Sequence, residues 1–241
     1  MRLMGARELP KLLPKLRRAL QQAGDPVRAL AMQAYAKSAM PLHGVPARLF
    51  REICKGVFAE VQFESAEDWQ RQVLEIWRNA GFREERYAAL HLAGDRRART
   101  FQTLSAMKMY EELIVTGAWW DYVDGIASHS VGPILRDYPA AMRRKMLSWS
   151  KSEDMWKRRT SILCQLGFKK ETDLELLYAC IEPSLASREF FLRKAIGWAL
   201  RQYARTDPAE VQRYVRLNRN RLSPLSSREA LKNIKTINTP L

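Results

Sequence analysis

The segment GAWWDYVDGIA, residues 117–127, combines two tryptophans and two carboxylates in a chain that is otherwise strongly basic. At 100° per residue, Trp120 and Asp124 lie one helical turn apart, with the small Ala127 beside them. A tryptophan and a carboxylate side by side make a poor core and suit the wall of a cleft. There, a fixed carboxylate can stabilise a developing positive charge or orient an attacking water.

The other residues of this segment point elsewhere. Trp119, Val123 and Ile126 share one stripe, which is typical of a face packed into the core. Asp121 points further round, towards solvent or towards a role in capping the helix N-terminus. Only Trp120 and Asp124 are therefore left as a pair that could do chemistry.

A second candidate lies in SEDMWKRRTSILCQLGF, residues 152–168, for which Ser152 is the predicted N-cap. The apolar stripe of the helix that follows comprises Trp156, Leu163 and Leu166. Arg159 lies within that stripe, whereas Arg158 does not. An arginine directed inward needs a carboxylate or phosphate partner, because burying an unpaired charge is costly. Asp124 is the natural partner if the two helices are adjacent; alternatively, the arginine reaches the rim with only its stem buried.

A third candidate lies in REFFLRKAIGWALRQYARTDP, residues 188–208. Its inward face is predicted to comprise Leu192, Ile196, Ala199, Leu200 and Tyr203. The opposite side is predicted to carry Phe191, Lys194, Trp198 and Arg201, beside Gly197. A tryptophan flanked by two cations suits a surface on which the cations hold phosphates and the indole meets a sugar or base.

The overall charge also favours an anionic partner. The 241 residues include 41 Lys and Arg against 26 Asp and Glu, which gives a net charge of +15 and a pI of about 10.0. Such a surplus favours nucleic acid or an anionic membrane surface, and the dominance of arginine over lysine suits phosphate contacts. A protein that is basic only for solubility is the alternative. Apolar residues make up 46% of the chain, which excludes a disordered protein.

Several classes of site and location are not expected. The three cysteines and three histidines are scattered and form no metal-ligand pattern, so no zinc site is predicted. No apolar run approaches the roughly 20 residues of a membrane span. Residues 1–22 are basic without a continuous apolar core, which predicts an amphipathic helix and not a secretory signal. We therefore expect a soluble, cytoplasmic protein that has no membrane partner.

The pattern of the chain is helical throughout. Strand signals are nearly absent, and apolar residues recur at helical spacing in segments of about 12 to 18 residues separated by Pro or Gly. The predicted breaks include HSVGP (129–133), DYP (137–139), TDP (206–208) and SPLS (223–226). Tryptophans recur at intervals of 42, 37 and 42 residues: Trp77, Trp119, Trp156 and Trp198. Spacing near 40 predicts an all-α superhelical array of HEAT-like helix pairs, one domain over 1–241, with a concave basic face suited to duplex DNA.

These residues resemble those of a known family. WWDYVD, followed about 35 residues later by MWKRRTSI and then by FFLRKAIGWALRQYARTDPAEV, is similar to the DNA alkylation repair glycosylases of the HEAT-like repeat family, the AlkD-like proteins. The early MQAYAKSAMPLHGVP, in which Gly44 and Pro46 fit a turn, and the late RLSPLSSREALK also match. The resemblance covers roughly residues 10 to 235.

The resemblance implies a function and a set of site residues. It implies removal of positively charged alkylpurines, such as 3-methyladenine and 7-methylguanine, from duplex DNA while the base stays stacked, leaving an abasic site for base excision repair. Neither a metal nor a cofactor is implied, and a nucleoid-associated monomer is expected by analogy. By correspondence, Asp124 is the catalytic aspartate, Trp120 and Trp198 contact the deoxyribose of the lesion, and Arg159 lies beside the cleft. Lys194 and Arg201 match a DNA-facing helix, and we expect Arg158 to bind DNA too.

Two other functions stay open. A non-catalytic HEAT-like protein could bind branched or distorted DNA, but relatives of that kind are expected to lack the cleft residues Asp124, Trp120 and Trp198. A protein–protein scaffold is the commonest use of helical repeats. The net charge of +15 and the inward-facing Arg159 argue against a scaffold. Because no Lys–Asp pairing typical of a lyase is found, a monofunctional hydrolase is favoured.

Overall fold

The computed structural model describes residues 12–234, and this part of the chain is helical with no strand. The all-α prediction is therefore confirmed. The chain divides between Phe101 and Gln102 into two compact units, which are described separately below. The single domain over 1–241 and the concave face stay predictions.

The first unit contains five α-helices within the described residues: α1 (Leu12–Ala23), α2 (Pro26–Ala36), α3 (Ala47–Val57), α4 (Ala66–Arg78) and α5 (Arg83–Ala93). Helix α1 buries one apolar face: Leu12, Leu13, Leu16 and Leu20. It accounts for the second half of the amphipathic helix predicted over 1–22, whereas residues 1–11 lie outside the described part of the chain.

The turn after α2 has the geometry that its glycine and proline suggest. Gly44 has φ +83, and a Cβ there would lie 2.1 Å from the carbonyl oxygen of Asp25, so only glycine fits. Pro46 is the N-cap residue of α3. The buried Glu84 carboxylate accepts hydrogen bonds from the backbone N–H groups of His43 (3.0 Å) and Gly44 (2.9 Å), which fixes the turn on α5.

The second unit contains nine α-helices within the described residues: α6 (Met107–Gly117), α7 (Trp120–Ile126), α8 (Gly132–Asp137), α9 (Pro139–Ser150), α10 (Met155–Leu163), α11 (Leu174–Ile181), α12 (Phe190–Tyr203), α13 (Pro208–Leu217) and α14 (Pro224–Leu231). Two of the predicted breaks start a helix with a capping residue followed by proline. Asp207 caps α13 and Ser223 caps α14, each by accepting a hydrogen bond from a first-turn N–H.

The predicted break at HSVGP is wrong. Residues Ala127–Val131 form a π-helical turn that joins α7 to α8 without interruption. The wider π-turn accommodates Pro133, which has no N–H for a regular α-helical hydrogen bond. Gly132 lies against the end of α10, because a Cβ at this position would be 2.5 Å from the carbonyl oxygen of Cys164.

The tryptophan spacing does not mark structurally equivalent positions. Trp77 lies near the end of α4, Trp119 precedes α7, Trp156 is in the first turn of α10 and Trp198 is in the second half of α12. Many of the helices, which range from 6 to 14 residues, are also shorter than the segments expected from the sequence, although α1, α4, α9 and α12 are not. The four tryptophans thus do not share one position within their helices, and the HEAT-like repeat array stays a prediction.

Residues 12–234 show no sign of a membrane span or a metal site. No helix there is long and apolar enough to cross a membrane. The same residues contain no group of three or more His, Cys, Asp or Glu side chains that could hold a metal ion. Cys54, Cys164 and Cys180 are free and buried, as expected for small apolar residues.

Candidate functional site

Helix α7 carries the first pair of predicted site residues. It begins at Trp120, just after the left-handed Ala118 (φ 43) has ended α6. Trp120 and Asp124 are both partly buried and lie one turn apart on α7, whereas Val123 and Ile126 are buried in the core as predicted. The helix therefore presents an indole and a carboxylate on the same side.

The position of Trp119 differs from the prediction. Trp119 is the N-cap residue of α7, with extended backbone (φ −150, ψ 146), so it does not continue the helical stripe of Val123 and Ile126. Its partly buried ring lies 5.5 Å from that of Phe191 and 6.3 Å from that of Trp156. Phe191 was expected on a polar face of α12. It lies instead in this aromatic cluster, which joins α7, α10 and α12.

Arg159 binds Asp124 with two hydrogen bonds. The Nε of Arg159 donates to Oδ1 of Asp124 at 2.7 Å, and Nη2 donates to Oδ2 at 2.8 Å. The Nη1 of Arg159 donates to the backbone carbonyl of Phe191 in α12. The side chains of Arg159 and Asp124 are only 5% and 13% exposed, respectively. The inward-facing arginine thus has the carboxylate partner expected from the sequence, and it does not extend to the rim.

The start of α10 differs from the prediction in its capping residue. Asp154, not Ser152, is the N-cap, and its carboxylate accepts hydrogen bonds from the N–H groups of Trp156 and Lys157, both at 2.9 Å. Ser152 lies two residues before Asp154 and accepts a hydrogen bond from the N–H of Asp154 at 3.2 Å. A carboxylate at this position also interacts favourably with the helix dipole.

Arg158, the neighbour of Arg159, lies outside the apolar stripe as expected. Its side chain is partly buried, and its Nε atom is buried without a hydrogen-bond partner. The two consecutive arginines therefore differ in environment, because Arg159 is bound by a carboxylate whereas the Nε of Arg158 is not bound.

The ionisation of Asp124 is shaped by opposing effects. Burial raises the pKa of the carboxyl above its ordinary value, the hydrogen bonds and charge of Arg159 lower it, and the nearby charge of Asp121 raises it. Burial is the largest of these effects. The two hydrogen bonds from Arg159 are nevertheless of the kind that an ionised carboxylate accepts. Asp121 is in the first turn of α7 and accepts a hydrogen bond from the N–H of Tyr122 at 2.9 Å.

Trp198 is not on an open polar face of α12. It is partly buried and packs against the hydrophobic core of the second unit. The expected inward residues Leu192, Ile196, Ala199 and Leu200 are buried in this core, and Tyr203 packs against it. The prediction that Trp198 stands apart from the core is therefore wrong.

The two cations beside Trp198 share one carboxylate. Lys194 Nζ lies 2.9 Å from Oε1 of Glu229, and Arg201 Nη1 lies 2.6 Å from Oε2 of the same residue. Sequence reasoning missed Glu229, which is at least 28 residues away from both cations in the chain and in a different helix. The available signal was that Glu229 is the single acidic residue in α14.

Helix α14 lies directly on the α12 face that carries these cations. A Cβ on Gly197 would be 2.4 Å from Cβ of Glu229 and 2.8 Å from the carbonyl oxygen of Ser226. The buried Ser226 hydroxyl donates to the backbone carbonyl of Arg193 at 3.0 Å. Glycine at position 197 thus permits an unusually close approach of the two helices, immediately before Trp198.

Comparisons with known proteins identify the family of the chain. Residues 16–234 match a family model described as DNA alkylation repair enzyme. A solved structure described as a predicted DNA alkylation repair enzyme from Enterococcus faecalis is 28% identical, with a TM-score of 0.80. The match covers 88% of this chain and 97% of that one. A comparison with curated proteins gives no match.

Proposed function

The chain belongs to the DNA alkylation repair enzyme family, and we propose that it is a monofunctional DNA glycosylase acting on positively charged alkylpurines in duplex DNA. Lesions of the 3-methyladenine and 7-methylguanine type are the proposed substrates, and an abasic site is the proposed product. The observation that carries this proposal is the Asp124 carboxylate, held by two hydrogen bonds from Arg159 one turn away from Trp120.

The chemistry explains why a carboxylate is needed and an acid is not. An N3- or N7-alkylated purine already carries a positive charge, so it leaves as a neutral base without being protonated. As the glycosidic bond breaks, positive charge develops on the deoxyribose. A preorganised carboxylate beside that sugar stabilises the charge and can orient or deprotonate the attacking water. We assign this role to Asp124.

The tryptophans would act on the same charge. The face of an indole carries negative quadrupole charge and attracts a cation within about 6 Å of its centre. Trp120 lies on the same side of α7 as Asp124, and Trp198 is anchored by the core of the second unit. We propose that both contact the deoxyribose of the lesion, and that the base remains stacked in the duplex during excision.

Arg159 would hold the carboxylate in place. Its guanidinium cannot be deprotonated in a protein, so it does not act as a base. A further hydrogen bond, from Nη1 of Arg159 to the Phe191 carbonyl, ties α10 to α12. Fixing the aspartate between three helices reduces the reorganisation needed when charge develops on the sugar. Arg158, Lys194 and Arg201 are our proposed phosphate contacts, through donors that the observed ion pairs leave available, and neither a metal nor a cofactor takes part.

The direct test is release of 7-methylguanine from methylated duplex DNA. Asp124→Asn keeps the shape of the side chain and removes its charge, so we expect the single-turnover rate to fall about 10²- to 10³-fold. Asp121→Asn is the matched control, because it removes a carboxylate charge from the same helix and leaves both side chains of the Asp124–Arg159 pair unchanged. Unchanged release by Asp124→Asn would show that the catalytic assignment is wrong.

The same assay tests a second function, binding of branched or distorted DNA without cleavage. This alternative predicts a gel shift with branched or methylated duplexes and no free base from any variant. The paired and partly buried Asp124 favours the enzyme, because a carboxylate has no use in a site that binds only phosphates.

A further inference from the structure

The contact between α12 and α14 is built around a stripe of α12 next to Trp198. Lys194, Gly197 and Arg201 follow one another at spacings of three and four residues, so they lie on one face of α12. Glu229 binds Lys194 and Arg201, and its Cβ lies against Gly197. Trp198, four residues after Lys194 and three before Arg201, lies next to this stripe.

Glu229 is well placed to fix the helix on which Trp198 lies. Its side chain is 16% exposed, and the ion pairs reach α12 at two points separated by two turns. Lys194 and Arg201 lower the pKa of the Glu229 carboxyl, so it is ionised at neutral pH. Two charged contacts in different turns restrict both the rotation and the sliding of α12 against α14.

From this geometry we infer that Glu229 is a positioning residue for Trp198: it binds Lys194 and Arg201 and thereby sets the place of the indole in the proposed site. The inference rests on the proposed glycosylase function. Glu229 itself need not touch DNA, because its two carboxylate oxygens face the two cations of α12. Its effect on the reaction passes through the helix.

The charges of this cluster distinguish positioning from DNA binding. Lys194, Arg201 and Glu229 together carry a net charge of +1, and Glu229→Gln raises it to +2. Affinity for undamaged duplex DNA should therefore stay the same or increase in Glu229→Gln, because added positive charge strengthens phosphate binding. The rate of base release should fall instead, since a displacement of about 1 Å can cost about 10²-fold. We expect a loss of about tenfold or more.

The matched control is Glu210→Gln in α13. The Glu210 side chain is also 16% exposed and is also bound by an arginine, at 2.6 Å from Arg213 Nε. It accepts a hydrogen bond from the hydroxyl of Tyr178 in α11. Single-turnover release of 7-methylguanine and binding of undamaged duplex at several salt concentrations are measured for both variants. The inference is supported if Glu229→Gln, but not Glu210→Gln, releases the base slowly and keeps its affinity for undamaged duplex. It is overturned if the release rate of Glu229→Gln is unchanged, if Glu210→Gln loses as much rate, or if weaker DNA binding explains the slower release.

A second measurement does not depend on activity. The chain has 7 tryptophans, and labelling with 5-fluorotryptophan gives each of them a fluorine resonance. The resonance of Trp198 is the one that is absent from the spectrum of Trp198→Phe. The Trp198 resonance should move or broaden in Glu229→Gln and stay in place in Glu210→Gln. If the unsubstituted protein releases no base, the proposed function fails, while the fluorine spectrum still decides whether Glu229 positions Trp198. An unmoved Trp198 resonance refutes the inference.

Discussion

Removing one member of the Asp124–Arg159 pair should destabilise the protein in a way that depends on which member is removed. Asp124→Ala leaves a guanidinium that is 5% exposed and loses two of its hydrogen bonds. Because arginine stays protonated at all usable pH values, this charge cannot be neutralised. Breaking a buried pair from one side costs about 3 to 5 kcal/mol. This loss should be at least as large at pH 5.0 as at pH 7.5, because the raised pKa of Asp124 adds stability in acid only to the protein that has the carboxyl.

Arg159→Met leaves a buried carboxylate, which can escape its cost by taking up a proton. Burial then raises the pKa of Asp124 without opposition from Arg159, so folded protein binds the proton more tightly than unfolded protein does. The stability that this proton contributes is fully present below the pKa that Asp124 has in the unfolded protein. It is lost as the pH rises through the pKa that Asp124 has in the folded protein. Protonation costs about 1.36 kcal/mol for each pH unit above the ordinary value of 3.8. The loss is thus limited to about 1.6 kcal/mol at pH 5.0 and to about 5 kcal/mol at pH 7.5.

The assay is urea unfolding at pH 5.0 and pH 7.5, followed by circular dichroism at 222 nm and extrapolated linearly to water. The double variant Asp124→Ala/Arg159→Met is the internal control, since removing both charges should recover much of the loss seen with Asp124→Ala alone. Equal losses for Arg159→Met at the two pH values, or a loss for Asp124→Ala that shrinks in acid, would refute the electrostatic reasoning.

Three further predictions concern activity and packing. The excision rate should fall with decreasing pH, and the decline should begin above the usual range of a carboxyl because burial raises the pKa of Asp124. Arg159→Met should move this decline to higher pH. A rate–pH profile checks both shifts. Trp198→Leu should slow single-turnover excision about twofold to thirtyfold, the range expected for loss of a cation–π contact, and an unchanged rate would contradict the contact with the sugar. Gly197→Ala should cost about 1 to 3 kcal/mol in thermal unfolding, because its Cβ would be 2.4 Å from Glu229 Cβ. Gly56→Ala in α3, where no atom lies within 4 Å of the new Cβ, should instead cause no loss of stability.

The central pair of the candidate site could be predicted from the sequence for physical reasons. Trp120 and Asp124 lie within one continuous helix, so a spacing of four residues fixes their common side. Arg159 occurs within an apolar stripe, and a buried charge requires a partner of opposite sign. Local periodicity and the cost of burying charge make Asp124 the natural partner of Arg159, but that α7 and α10 are adjacent is known only from the structure.

The parts that were wrong depend on information that a single helix does not contain. The prediction that Trp119 shares a helical stripe with Val123 and Ile126 is wrong because α7 begins one residue later, at Trp120. The start of this helix is set by capping and by the preceding turn at Ala118. The prediction of an open polar face at Trp198 is wrong because α14 covers the neighbouring stripe of α12, which carries Lys194 and Arg201. Periodicity shows which faces of a helix are polar, but it does not show whether a polar face meets solvent or the charged side chain of another helix.

The ion pairs separate the attraction of DNA from the chemistry at the lesion. Arg159 is paired with Asp124, and Lys194 and Arg201 are paired with Glu229, so these groups together add little to the net charge of +15. Attraction to the phosphate backbone must therefore come mostly from other cations, and the second unit exposes several arginines: Arg205, Arg216 and Arg219. We propose that the rate of excision depends instead on the Asp124 carboxylate, which is desolvated and held in place by Arg159. In the proposed mechanism, a strongly basic protein keeps a negative charge where a cationic sugar forms, because Arg159 stabilises the carboxylate of Asp124 by a two-point ion pair.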